Sequence, residues 1–330
     1  MLRRPRRNRA SAAIRGLAQE TYLTPDHLVN PLFLVSGNNV KSEVHSLPGV
    51  FRLSIDNVLR EVEESLRLGI NCFMMFPAVP DEFKDKTGTY SFDENNFYLK
   101  AATAIKSEFP DSCLISDVAL DPYSIDGHDG IVRNGKIVND ETLGVLAKMS
   151  VAQAQAGFDI IGPSDMMDGR VAAIRTALDE EGLTDTGIMS YTAKYASAFY
   201  GPFRDALDSA PKASEDIPKD KKTYQMNPAN KREALIEGEL DTAEGADFLM
   251  VKPALNYLDV IALMKENFEL PIAAYHVSGE CAMLLAACKN GWLEYEKAMP
   301  ETLTAIHRAG ADVIITYLAK DYCRVLNGAL

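Results

Sequence analysis

The chain has 330 residues, 47% of them hydrophobic, and a formal net charge of −13. That is enough apolar material for one large α/β domain or two smaller ones, and no apolar run approaches the roughly 18 residues of a membrane span. The acid excess argues against general nucleic-acid binding while leaving carboxylates for hard cations, and the five cysteines (Cys72, Cys113, Cys281, Cys288, Cys323), with no CxxC pair, give neither a disulfide framework nor a zinc knuckle and suit a reducing, cytosolic setting.

The first fifteen residues, MLRRPRRNRASAAIR, carry six arginines and no acid. An organellar presequence, a nucleic-acid arm and a subunit-docking extension all fit such a segment. The acidic body favours docking, because a basic extension finds complementary surface on a sister chain. Residues 1–25 are therefore expected to form an arm and residues 26–330 a single catalytic unit. Thr24-Pro25-Asp26 reads as a helix start with proline in the first turn.

From there apolar, β-prone runs recur at Leu32–Val35, Cys72–Val79, Cys113–Asp121, Phe158–Asp165, Ile188–Ala193, Phe248–Ala254, Ile272–Gly279 and Val313–Ala319. Amphipathic helical stretches lie between them: Ile55–Leu68, Phe97–Glu108, Glu141–Gly157, Arg170–Glu180, Ala229–Gly245 and Leu255–Phe268. Such alternation, with strands too apolar for an exposed face, predicts a closed (β/α)8 TIM barrel, with a doubly wound open sheet as the alternative.

A barrel gathers reactive residues at the carboxyl ends of its strands. Here those ends carry Asp117 and Asp121, Ser164 and Asp165, Lys194, Lys252, Tyr275, His276 and Ser278, and Tyr317. A single strand-end lysine normally snorkels to solvent. Two on successive strands would converge if the strands are neighbours, and mutual repulsion with partial burial would leave a neutral amine able to attack a carbonyl. That is Schiff-base chemistry.

The loop DVALDPYSIDGHDGIV sets Asp117, Asp121, Asp126 and Asp129 among turn residues. Carboxylates so close must be solvated, paired or bound to a cation, and oxygen ligands favour magnesium over zinc. His128 reads as a hydrogen-bonding turn residue, and Asp168 as a helix cap. Arg204, ten residues beyond Lys194, suits a substrate carboxylate held bidentately. The polar segment Ser209–Lys222 lies within an expected lid around residues 199–225 and brings Lys221 as a second carboxylate clamp.

Taken together, PLFLVSG, LPGVFRLSID, DVALDPYSIDGHDG, IGPSDMMDGRVAAIR, YTAKYASAFYGPFRDA, YQMNPANKREAL, EGADFLMVKPALNYLDV, AAYHVSGECAM and ITYLAKD resemble the porphobilinogen synthase (5-aminolevulinate dehydratase) family, in order and over nearly the whole chain. The resemblance implies condensation of two 5-aminolevulinate molecules per site to porphobilinogen, with loss of two waters, in tetrapyrrole synthesis. By the same likeness Lys194 forms the imine to the first substrate and Lys252 to the second. Arg204 and Lys221 would hold the first carboxylate, Ser278 and Tyr317 the second. Asp117 would sit near the reacting amino group, and Tyr200, Gln225 and Tyr275 would line the pocket and lid.

Zinc-dependent members place three cysteines where this chain has Ala119, Asp121 and Asp129, so no zinc is expected. Asp121 and Asp129 are candidates for an active-site cation, and Glu237 matches the glutamate that carries an allosteric magnesium ion. The family's homo-octamer, built through the N-terminal arm, agrees with the docking reading of the arginines, and the arm's alignment with the family's mature arm implies a cytoplasmic protein. No nucleic acid or membrane partner is expected. A class I aldolase would need one imine-forming lysine and a phosphate-binding glycine loop, which neither Gly279 nor Lys320 introduces.

Overall fold

The structure is a computed structural model and describes residues 1–207 and 216–329. Eight parallel strands follow one another around a closed ring: β1 (Leu28–Leu34), β2 (Cys72–Pro77), β3 (Cys113–Ile115), β4 (Ile160–Ile161), β5 (Gly187–Lys194), β6 (Phe248–Lys252), β7 (Ile272–His276) and β8 (Val313–Thr316). Each pairs with its sequence neighbour, and β8 returns to β1 through Leu28↔Ile314 and Val29↔Ile315. The expected (β/α)8 TIM barrel is the fold. Its strands read as unbroken apolar runs because neither face meets water: side chains fill the interior and helices cover the outside. All of β1 is buried.

Barrel helices follow the strands in turn: Ile55–Arg67, Phe97–Glu108, Asn139–Ala156, Arg170–Glu180, Glu233–Glu244, Leu258–Asn267, Tyr295–Ala309 and Ala319–Leu326. Tyr295–Ala309 escaped the periodicity because it contains Pro300, which reads as a helix breaker. Two further helices, Gly201–Leu207 and Ser278–Lys289, start beyond the carboxyl ends of β5 and β7. An antiparallel pair, Lys41–Glu43 with Phe51–Leu53, extends the sheet beside β1 through Phe33↔Arg52.

Some local expectations need correction. Thr24-Pro25-Asp26 begins only one 3-10 turn, Pro25–His27, which runs straight into β1. β1 starts at Leu28 rather than Leu32, since Asn30 and Pro31 masked the strand. Asp168 does not cap the helix behind it: Gly169 is the N-cap, and the Asp168 backbone pairs with the Asn139 side chain.

Residues 1–20 are exposed throughout, including the short helix Ala12–Leu17, and the barrel takes hold of the chain at Leu23, whose carbonyl accepts from Tyr322. Among the described residues no helix is long and apolar enough to cross a membrane.

Candidate active site

β5 and β6 are parallel neighbours, and Lys194 and Lys252 are directly opposed Cα partners at their carboxyl ends. That opposition depends on an irregularity. Lower in the pair Leu249 faces Ser190, but Val251 faces Ala193, so β5 spends one more residue than β6 over the same span. Had the lower register continued, Lys252 would face Ala193, and the two amines would leave the sheet on opposite sides. The bulge puts them on the same side, a re-aiming that bulges beside active sites often perform.

Both lysines are almost fully buried, at 7% and 5% exposure, so neither snorkels to solvent. Their surroundings differ. Lys194 Nζ lies 3.2 Å from Asp129 Oδ2 and donates to the Ser164 carbonyl. Lys252 Nζ faces the rings of Tyr275, Phe203, Tyr191 and Tyr200 at 4.3, 4.9, 5.0 and 5.4 Å. Burial first, then the charge of Lys194, pull the Lys252 amine down to about 7, against the attraction of Asp117, Asp121 and Asp129.

The carboxylates divide in the same way. Burial and the neighbouring Asp121 push Asp117 up to about 7, although Lys194 and Lys252 act against them. Burial also opposes ionisation of Asp129, but the charges and hydrogen bonds of Lys194 and Lys221 outweigh it and hold that carboxyl at about 2. Lys221 is buried between two acids, donating to Asp129 Oδ1 and, at 3.1 Å, to Asp121 Oδ2. The acidic loop is therefore balanced by lysines that arrive from distant parts of the chain.

A small cavity of about 30 Å³ is lined by Lys194, Lys252, Asp121, Arg204, Lys221, Tyr200, Phe203 and Gln225. Gln225 Oε1 is buried there with no hydrogen-bond partner among the described residues, as an acceptor awaiting a donor would be. Tyr275 and Tyr317 share a hydroxyl hydrogen bond of 3.1 Å on the Lys252 side, and Ser278 Oγ accepts from the Phe203 N–H at 2.9 Å. Arg204, Lys221, Tyr200 and Gln225 thus line the cavity, Ser278 bonds to the lining Phe203, Tyr275 faces Lys252 with its ring, and Tyr317 reaches the site through Tyr275.

The covering segments are pinned at both ends. Arg52 donates to the carbonyls of Asp205 and Ala206 at 2.6 Å, and Tyr200 Oη donates to the Lys252 carbonyl at 3.1 Å. His128, a hydrogen-bonding turn residue as expected, holds the Pro218 carbonyl at 2.8 Å and the Tyr224 hydroxyl at 3.0 Å. The central part of the expected lid, residues 208–215, lies outside the described residues. The sequence reading missed Tyr191 and Phe203, which complete the aromatic wall around Lys252. Both stood in view within IMSYTAK and YGPFRDA, but nothing in the spacing said that they face the amine.

Glu237 stands apart, on the outer helix Glu233–Glu244, in a second cavity that Asp168 and Glu233 also line. Burial raises its carboxyl to about 7, with Asp241, Asp168 and Glu233 adding to the rise and Arg170 opposing it. Beside it, Arg170 is buried against Asp241 at 3.0 Å and Ser190 at 2.9 Å. Among the described residues no three His, Cys, Asp or Glu side chains gather around a point that could hold a metal ion.

The sequence matches the family model for delta-aminolevulinic acid dehydratase over residues 2–325. The delta-aminolevulinic acid dehydratase of Chlamydia pneumoniae is 53% identical over 325 residues, covering 98% of this chain and 96% of the relative. The chloroplastic enzyme of Oryza sativa subsp. japonica is 53% identical over 330 residues, covering 99% of this chain and 76% of the relative. The crystal structure of the Toxoplasma gondii ME49 delta-aminolevulinic acid dehydratase (porphobilinogen synthase), in complex with its reaction product porphobilinogen, superposes with a TM-score of 0.95 at 50% identity, covering 98% of this chain and 91% of that one. With this fold, this pair of lysines and this likeness along its length, the chain belongs to the delta-aminolevulinic acid dehydratase family.

Proposed function

We propose that this protein condenses two molecules of 5-aminolevulinate to porphobilinogen with loss of two waters, holding one substrate as an imine on Lys194 and the other on Lys252. The observation that carries this reading is the opposed, buried lysine pair, one of whose amines titrates at about 7. The lowered value leaves far more of the Lys252 side chains with a free electron pair at neutral pH than an ordinary lysine with a pKa near 10.4 would have. That amine adds to the ketone carbon, and the carbinolamine loses water to give the imine. Asp117, also near 7, is matched to proton transfer at the substrate's amino group.

The two carboxylates go to opposite sides. Arg204 and Lys221 take one beside Lys194, and the hydroxyls of Ser278 and Tyr317 donate to the other beside Lys252. Tyr200, Gln225 and Tyr275 close the pocket and exclude water. In support, Arg204, Lys221, Tyr200 and Gln225 line the cavity, Ser278 is one hydrogen bond from its lining, and the hydrogen-bonded pair Tyr275 and Tyr317 stands on the Lys252 side.

Magnesium belongs to this reading as an allosteric ion at Glu237, whose carboxyl feels the charges of Asp241, Asp168 and Glu233 without those acids closing around it, so water would supply most of the ion's ligands. A cation on Asp121 and Asp129 would have to displace the Lys221 ammonium, which pairs with both. Ala119, Asp121 and Asp129 offer zinc no thiolate. The arm, residues 1–25, docks on sister chains to build a homo-octamer, for which its exposed Ile14, Leu17 and arginines are suited. We place the enzyme in the cytoplasm because its arginine segment matches the family's mature arm.

Treatment with 5-aminolevulinate and borohydride, followed by digestion, tests the chemistry. Adducts on both Lys194 and Lys252 support it, and an adduct on neither overturns it. EDTA should depress activity or assembly, with recovery on magnesium and none on zinc. Removal of residues 1–20 should shrink the assembly measured by light scattering.

A further inference from the structure

At the opposite end of the barrel a second pair of reactive side chains meets. Cys72 opens β2, Cys113 opens β3, and the two are directly opposed Cα partners. Neighbouring parallel strands run about 4.8 Å apart, within the roughly 4.4–6.8 Å between Cα atoms that a disulfide spans. Opposed residues also project from the same face of the sheet. Both residues are half-buried, whereas Cys281 and Cys323 are buried.

The pair is chemically unequal. The influence of the opposed Cys113 draws the Cys72 thiol below its ordinary range, against burial and the charges of Asp159 and Asp26. The influence of Cys72, with burial, pushes Cys113 up. One sulfur is therefore disposed to become a thiolate and the other to keep its proton until needed.

We propose that Cys72 and Cys113 form a hydroperoxide-sensitive dithiol site, with Cys72 as the attacking sulfur and Cys113 as the resolving one. The Cys72 thiolate attacks one peroxide oxygen, the O–O bond breaks, and the far oxygen leaves with a proton as water or alcohol. The resulting sulfenic acid is attacked by Cys113, which gives up its proton; the S–S bond forms and the hydroxyl departs as water. The two electrons lost by the sulfurs are those that reduce the peroxide. The product ties β2 to β3 at the rim of the barrel opposite the lysines.

The test uses the full-length protein with graded hydrogen peroxide, quenching of free thiols with an alkylating agent, and non-reducing peptide mass spectrometry. The expected product is a Cys72–Cys113 linked peptide lighter by two hydrogens than the sum of its parts and abolished by dithiothreitol. In Cys113→Ser, Cys72 should stop at a sulfenic acid that dimedone captures; in Cys72→Ser, Cys113 should give no dimedone adduct. The proposal is overturned if both thiols of the unmodified sequence are recovered alkylated at peroxide doses that oxidise Cys288. It is equally overturned if Cys72 proceeds to sulfinic acid without the linked peptide.

Discussion

Lys194 and Lys252 face each other across β5 and β6, yet among the described residues only the first of the two is paired with a carboxylate, Asp129 at 3.2 Å, while the second is enclosed by four aromatic rings. The strand pair therefore holds two amines in different electrostatic states. Lys252 is disposed to react as a free base, and its neighbour's charge helps to keep it so.

The pH dependence follows from that asymmetry. Because burial lowers the Lys252 value, the reactive neutral form gains as pH rises through about 7. In single-turnover imine trapping, adduct formation on Lys252 should fall about tenfold per unit below that point and level off above it. A flat profile between pH 5 and 8 would contradict this assignment.

Asp117→Asn should lower kcat by about 10²–10⁴-fold, the usual worth of a positioned acid or base. Folding should suffer little, since at neutral pH the carboxyl is already protonated about half the time. Steady-state kinetics beside a denaturant melt separates the two effects.

Asp129→Ala leaves Lys194 and Lys221 buried without their shared partner and should destabilise the fold by about 3–5 kcal/mol. The acid limb shows the same interaction. A carboxyl held at about 2, against roughly 3.9 when unfolded, contributes stability that is fully present above pH ~4 and lost as pH falls toward 2. Urea melts over that range should show the contribution in the unmodified protein and its absence in the variant.

Gly279→Ala tests how the covering segment is seated. A Cβ there would lie 2.4 Å from the Phe199 carbonyl oxygen and 2.8 Å from its Cα, backbone atoms that cannot rotate away. The segment carrying Tyr200, Phe203 and Arg204 must shift. The expected result is a raised KM, with borohydride adducts still forming at high substrate.

Glu237→Ala should abolish the response to magnesium and EDTA while leaving both lysine adducts in place, because the residue lines a cavity separate from the lysines. Titration of activity with magnesium, in parallel with light scattering, reads both consequences.

The sequence by itself determined the architecture. Eight apolar runs alternating with amphipathic helices call for a parallel sheet covered on both faces, which a closed barrel achieves with a side-chain core inside and a ring of helices outside, and the pairing of β8 with β1 chooses it over a doubly wound open sheet. It also determined the reacting groups, since strand-end lysines, acids and hydroxyls fall where a barrel opens. Only tertiary structure decided how they are coupled. The one-residue bulge that brings Lys252 opposite Lys194 depends on pairing between strands, which neither strand's own pattern encodes. The pairing of Lys221 with Asp121 and Asp129 joins residues about a hundred positions apart, and the rings around Lys252 come from two βα units, those of β5 and β7. Such contacts set the protonation of each amine through burial and distance, quantities that exist only once the chain has closed.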